Sequence, residues 1–213
     1  RRPETVTADG RVQAWVIGSG TDATEREPCE AAALRSILSG EVPVVVDAGS
    51  LDLVPQAAAP VIVTPHAREM ARLRDALGLS ADETADVDAR ERAARETADA
   101  FGGVVLLKGA VTIVAAAGGW SRRVSTGTPW LATAGTGDVL GGVLGAVTAG
   151  AVAAGRSGVE ELGACAATAA WLHGRAGTAA SLAHGGGGGP ITALDVADAL
   201  PGVVSALLAD SIA

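Results

Sequence analysis

Tyrosine is absent from this 213-residue chain, phenylalanine occurs once, and aromatic residues make up 2% of it. Stacking on bases needs aromatic platforms, and binding a nucleic-acid backbone needs a basic footprint. The chain offers neither, since its formal net charge is −8, and no nucleic-acid partner is expected. An anionic small ligand stays open, because a local backbone site can outweigh the global field. Cysteine is scarce too. Cys29 and Cys165 lie far apart with no metal-ligand spacing. They read as two buried thiols in a cytoplasmic protein rather than as a disulfide, although a lone disulfide stays possible. No serine sits in a nucleophile elbow, no Cys–His pair is visible, and there is no Walker A loop. There is no signal-peptide pattern and no apolar run free of breakers long enough to span a bilayer. Residues 139–155 come closest, and their glycines and alanines suit tight packing inside a soluble fold. The sequence opens at Arg1 rather than Met, which is expected of a fragment or a processed form.

Hydrophobic residues make up 48% of the chain, enough for a sizeable core in one domain over residues 1–213. Val12–Ile17, Pro43–Val46, Pro60–Val63 and Val104–Leu107 are short aliphatic runs, each closed by a polar residue or glycine. They read as buried parallel strands. Between them Glu27–Leu38, the Met70–Leu77 segment and Asp86–Phe101 carry helical patterns. Val111–Ala116 and Arg122–Ser125 flank a glycine turn and predict a hairpin. From 138 onward the chain reads as helix over 138–154, 159–180 and 192–210, with Thr192 and Asp195 forming a capping box. His184 and the five glycines after it predict a flexible surface loop. The expected class is α/β, with a largely parallel central sheet and helices on both faces.

The sharpest chemical signal is LATAGTGDVLGG, residues 131–142. A glycine-rich loop entering a helix leaves several N–H groups unpaired, and with the helix dipole they make an anion site. Gly135 and Gly137 allow a ligand to come close, and Asp138 is placed as a general base. The plainer alternative makes Asp138 a simple N-cap. Lys108 is the only lysine in the sequence and ends an apolar strand, where open α/β sheets present their ligand crevice. Thr64 and Pro65 read as a helix start, which sets His66 near a helix N-terminus as a neutral hydrogen-bonding group or as a packing residue. His173, among apolar helical neighbours, reads as structural. Asp47 closes a strand and could hold a metal ion or order its loop. Gly18 and Gly20 flank Ser19 at the first strand's end, a weak signal by itself.

VVVDAGSLDL, VTPHAREMARL, VVLLKGAVTIV and TGTPWLATAGTGDVLGGVLGA stand in this order. Together they resemble the ADP-dependent NAD(P)H-hydrate dehydratases of the ribokinase-like superfamily. The resemblance implies a ribokinase-like fold and a lyase that restores NADH or NADPH from its hydrated S form. ADP would be consumed to AMP and phosphate, with Mg2+ assisting. By motif position it implies that Lys108, Gly109, Ala110, Val111, Thr112, Gly135, Thr136 and Gly137 contact the nucleotide. It implies that Gly20, His66 and Asp138 contact the hydrate, with Asp138 also the catalytic base. The partners implied are the small-molecule substrates and another copy of the chain, with no membrane. This sequence departs from the family pattern at Ser19, at Ala67-Arg68 and at Ala134. The family's domain usually opens with a further strand and helix, and the chain is expected to lack that unit. A ribokinase-like small-molecule kinase and an inactive nucleotide-binding regulatory module are the competing readings.

Overall fold

Aliphatic runs without polar alternation form strands covered on both sides. The computed structural model describes residues 10–80 and 86–212. In it those runs become β1 (Trp15–Ile17), β2 (Val44–Val46), β3 (Val61–Val63) and β4 (Val104–Leu107). The hairpin follows as β5 (Thr112–Ala116) and β6 (Ser121–Val124). One six-stranded sheet runs in the order β1-β2-β3-β4-β5-β6. β1 through β4 are parallel, β5 pairs antiparallel with β4, and β6 pairs antiparallel with β5.

Helices α1 (Pro28–Leu38), α2 (Ala67–Ala76), α3 (Val87–Phe101), α4 (Thr136–Ala153), α5 (Val159–Leu182) and α6 (Ala193–Ile212) complete the layers. The side chains of each strand alternate between two cores. Val44, Val46, Val61, Val63, Val105 and Leu107 pack with Leu34, Met70, Leu73 and Ala98 on one face. Val45, Ile62, Val104 and Leu106 pack with Leu140, Leu144, Leu162 and Ala166 on the other. The period-two alternation of the strand side chains divides the sheet in this way. The largely parallel sheet with helices on both faces is therefore as expected.

Several boundaries differ from the sequence expectation. The first strand is confined to Trp15–Ile17, the stretch that pairs with Val44–Val46. It lies at the edge of the sheet with Trp15 and Val16 exposed. The second helix begins at Ala67 rather than at Thr64-Pro65, because Thr64 still extends the strand and donates its N–H to Val46 O. Two 3-10 stretches, Ala48–Gln56 and Pro129–Ala132, carry no periodicity that the sequence reveals. Cys29 is exposed, not buried, because the first turn of α1 turns it away from the sheet and only Leu34 and Leu38 of that helix are buried. Cys165 is buried, and both thiols are free.

The helix α4 corrects another expectation. Thr136–Ala153 has a mean hydropathy of 1.4 over 18 residues, long and apolar enough by composition to cross a membrane. Its apolarity has a local cause, since it packs against β1, β2, α5 and α6. Gly145 lets it lie so close to β1 that a Cβ there would overlap the Val16 side chain.

Two side-chain devices fix the ends of elements. The buried Arg74 guanidinium ties α2 to α3 through Ala93 O, Thr97 Oγ1 and Glu96. Thr192 and Asp195 exchange the reciprocal bonds of a capping box. The glycine run after His184 is anchored at its far end, where the Ser181 hydroxyl bonds both N and O of Gly189.

Candidate active site

Parallel strands place their carboxyl ends along one rim of the sheet, and the loops leaving that rim build the crevice. β1, β2, β3 and β4 contribute the loops that begin at Gly18, Asp47, Thr64 and Lys108. The first contact is electrostatic. Lys108 Nζ lies 2.9 Å from Asp47 Oδ1, across 61 positions of sequence. Glu69 Oε2 is 3.8 Å from the same ammonium. Asp47 is buried, so its charge is kept in place by this pairing. The carboxylate thus orders the lysine, a role that the sequence, with its choice between a metal ion and the local loop, does not assign to it.

Glu69 leads to His66. His66 is the N-cap of α2, and its Nδ1 accepts from Glu69 N at 3.2 Å. Glu69 Oε2 in turn accepts from His66 N at 2.8 Å. This is a capping box with imidazole in the place of a hydroxyl. It requires a bare Nδ1, so the free proton of a neutral ring sits on Nε2. The half-exposed imidazole is thereby oriented while its Nε2 edge remains the donor. Nε2 lies 3.4 Å from Glu69 Oε1, so both ring nitrogens face the glutamate and the packing reading of His66 is the one this geometry supports.

The turn before α4 comes to the same place. A Cβ added at Gly137 would lie 3.8 Å from Lys108 Nζ and 3.9 Å from Asp47 Oδ2. Gly135, not Asp138, is the N-cap, with φ +84°, in the left-handed region that favours glycine. Asp138 stands inside the first turn, and its N–H donates to Gly135 O. Its carboxylate caps nothing. Instead Oδ1 accepts from the Ser19 hydroxyl at 2.5 Å. The simple N-cap alternative for Asp138 is therefore excluded. Gly137 N–H makes no backbone bond among the described residues, so it is free for an anion.

Thr136 faces the other way. Its hydroxyl donates to Leu131 O and Thr133 O, and its side chain is buried. Any contact it makes with a ligand is through its backbone. Beneath it, His173 Nε2 lies 2.9 Å from Thr136 O. A carbonyl accepts, so that nitrogen carries the proton. Burial pushes the His173 pKa below its ordinary value, partly offset by the Thr136 carbonyl. The structural reading of His173 stands, and its target is the anion turn itself.

Gly109 and Ala110 are exposed between β4 and β5, and Thr112 begins β5 with its hydroxyl 3.4 Å from Gly109 O. Lys108 N–H is anchored to Pro65 O at 2.8 Å. Gly20 sits exposed in the turn after β1, beside the Ser19 that reaches Asp138. A separate cleft of about 370 Å³ lies between that turn and α2, with Asp22, Ala48, Asp52 and Arg72 in its wall. It shares Glu69 with the lysine cluster and none of the residues predicted from sequence.

This geometry suits phosphoryl chemistry, with a cation, free amides and an unpaired-to-backbone carboxylate at one rim. A family model described as NAD(P)H-hydrate dehydratase matches residues 2–202. The chain belongs to the NAD(P)H-hydrate dehydratase family. It is 44% identical over 160 residues to the bifunctional NAD(P)H-hydrate repair enzyme Nnr of Mycobacterium tuberculosis H37Rv, covering 72% of this chain and 32% of that protein. It is 37% identical over 177 residues to the ADP-dependent (S)-NAD(P)H-hydrate dehydratase of Neisseria meningitidis, covering 78% of this chain and 54% of that one. The ADP/ATP-dependent NAD(P)H-hydrate dehydratase of Bacillus subtilis, co-crystallized with ATP/Mg2+, superposes with a TM-score of 0.72 at 29% identity, over 91% of this chain and 64% of that chain. A ribokinase-like protein of Enterococcus faecalis shares the fold at a TM-score of 0.65 and 23% identity, over 89% of this chain and 61% of that chain. The chain spans about a third of the length of the Nnr proteins it matches.

Membership of the NAD(P)H-hydrate dehydratase family makes two omissions visible. Ser19 and Glu69 touch the predicted residues directly, and sequence reasoning assigned neither a role. For Glu69 a signal existed, since it stands three positions after His66, where a capping partner belongs. For Ser19 the partner is 119 positions away, and no local pattern announces it.

Proposed function

We propose that this chain is an ADP-dependent (S)-NAD(P)H-hydrate dehydratase. The observation that carries the reading is the carboxylate of Asp138, free of any capping duty, one residue from a Gly137 that faces Lys108. Asp138 takes the proton from the hydroxyl on the hydrated nicotinamide ring. That oxygen forms a bond to the β-phosphorus of ADP, and the bond from the β-phosphorus to the bridging oxygen breaks. AMP leaves with the electron pair. The C–O bond then breaks, phosphate departs with its electrons, and loss of a neighbouring ring proton restores the double bond.

The chain's own groups divide this work. Free backbone N–H groups at Gly137 and around Gly109 hold phosphate oxygens, where developing charge is stabilised without reorganisation. Lys108, released from Asp47 or shared with it, adds a positive charge. Ser19 orients the Asp138 carboxylate, and the half-exposed His66 ring, held against Glu69, contacts the hydrate by its open face. Mg2+ binds through one or two carboxylates and substrate phosphates while keeping waters. Besides Asp138, Asp47 and Glu69 are carboxylates at the rim and would fit that pattern, and no group of three or more metal ligands occurs among the described residues. When bound, the ion would neutralise charge on the nucleotide phosphates. A cytoplasmic location and a homo-oligomeric state go with the proposal, and sedimentation of the purified protein tests the second.

The direct test incubates the protein with hydrated NADH, ADP and Mg2+ and follows recovery of reduced-nicotinamide absorbance. AMP and orthophosphate should appear in equal amounts. A stable phosphoester in place of orthophosphate would assign a small-molecule kinase, and nucleotide binding without turnover would assign a regulatory module.

A further inference from the structure

We infer that Arg90, on α3, is a positioning residue that shapes the 108–112 loop for a nucleoside diphosphate, and that Gly109 is glycine in order to admit its guanidinium. The inference rests on the nucleotide reading above. Arg90 Nη2 donates to Lys108 O and Nη1 donates to Val111 O, each at 3.3 Å. These carbonyls bracket the residues by which the loop turns from β4 to β5. One planar, always-charged fork thus fixes both ends of the turn.

The peptide plane makes the consequence specific. In a trans peptide the carbonyl and the following N–H point in opposite directions. Turning Lys108 O toward Arg90 therefore turns Gly109 N–H away from it. The N–H groups of Gly109, Ala110 and Val111 form no backbone hydrogen bond among the described residues. The arginine occupies the two outer carbonyls of the loop and leaves its donors for a ligand. An exposed loop with free donors suits the oxygens and ring nitrogens of a nucleotide.

The glycine supports the same conclusion. A Cβ at Gly109 would lie 2.5 Å from Arg90 Nη2 and 3.2 Å from its Cζ. Gly109 is not in the left-handed region, so the backbone conformation alone does not demand glycine. The space demands it only while the guanidinium keeps its two carbonyl partners, because a methyl there would push the end of the arginine off them. Arg90 is also firmly seated at its base. Asp86 caps α3 through Ala89 N, and Arg74 ties the middle of α3 to α2.

The experiment is a double-mutant cycle of Arg90→Ala and Gly109→Ala, read in two ways. Thermal unfolding of the four ligand-free proteins reads the contact without any nucleotide. Gly109→Ala should lower Tm in the parent and have little effect in the Arg90→Ala background. An equal loss in both backgrounds overturns the inference, because the glycine would then serve something else. Calorimetric titration with ADP reads the consequence. Arg90→Ala should weaken ADP about tenfold, as the loss of charge-assisted hydrogen bonds gives, and raise the KM for ADP while the KM for the hydrate stays unchanged. Arg90→Lys, which keeps the charge and loses the fork, should recover only part of the affinity. Undiminished ADP affinity in a folded Arg90→Ala protein overturns the inference. Absence of ADP binding in the parent protein defeats the nucleotide reading instead, and the Tm cycle still decides the Arg90–Gly109 contact.

Discussion

Two turns meet at the Lys108 ammonium, and they are built from opposite materials. The turn after β4 is held from outside by long charged side chains, with Arg90 on its carbonyls and Asp47 on its lysine. The turn before α4 is held from within and below. Gly135 supplies the left-handed conformation, the Thr136 hydroxyl closes onto Leu131 O and Thr133 O, and neutral His173 supports the carbonyl. The first turn brings charge to the rim, and the second brings dipoles and a carboxylate free of capping duty. The difference shows how, on the proposed function, an acidic chain would accept a polyphosphate. At the rim one ordered lysine would supply the positive charge, and the rest of the attraction would come from backbone N–H groups that carry no net charge.

The comparison breaks most visibly at Asp138. Asp138→Asn removes the base and keeps the turn, so kcat should fall by about a thousandfold, with ADP affinity within about twofold in calorimetry. Retained turnover would move the base elsewhere. Next comes Lys108→Ala, which leaves the buried Asp47 without its partner. Stability should drop by about 2 kcal/mol in urea unfolding, less than for a fully buried pair because Lys108 is partly solvated. Adding Asp47→Asn should return most of that loss. If it does not, Lys108 supports the fold by packing rather than by charge.

Gly137→Ala sharpens the contrast between stability and binding. The added methyl has ordinary contact distances and a helical position, so stability should hold or rise by up to about 1 kcal/mol. ADP affinity should nonetheless fall about tenfold, since the methyl points to the space before Lys108. Equal affinity would show that the phosphate does not approach this turn. The smallest effect concerns His173. Burial depresses its pKa below the ordinary 6.5. The unfolded chain therefore takes the proton first, so this contribution is complete above about pH 6.5 and is lost as the pH falls toward the depressed value. His173→Gln should flatten that part of the stability-against-pH curve. An unchanged slope would assign the acid sensitivity to other groups.

Much of this arrangement is legible before folding. Unbroken runs such as Val44–Val46 and Val104–Leu107 announce strands covered on both faces, because no polar alternation leaves a side for water. The lone lysine and the Gly-Thr-Gly-Asp turn announce their chemistry by composition and spacing. Legibility fails where a contact joins distant positions. Ser19 on Asp138, Glu69 beside Lys108 and Arg90 behind Gly109 each depend on which loops share a rim. At Asp138 the sequence favours a base and keeps the N-cap as the plainer alternative. An acid beside a helix start is an N-cap by local rules, and only the fold shows Gly135 in that position with the carboxylate released. Cys29 fails for a related reason, since hydrophobic character does not say which side of α1 faces the sheet.

The sequence by itself determined the class of fold, the order of its layers and the two glycine-bearing turns that carry Lys108 and Asp138. Local propensity, hydrophobic period and residue type are properties of short segments, and they survive without knowledge of the whole. Tertiary structure alone decided which charges neutralise one another, which donors remain free and which glycine answers to which neighbour. Those are matters of distances of a few ångströms between residues far apart in the chain, and only the folded sheet brings its loop ends to one place.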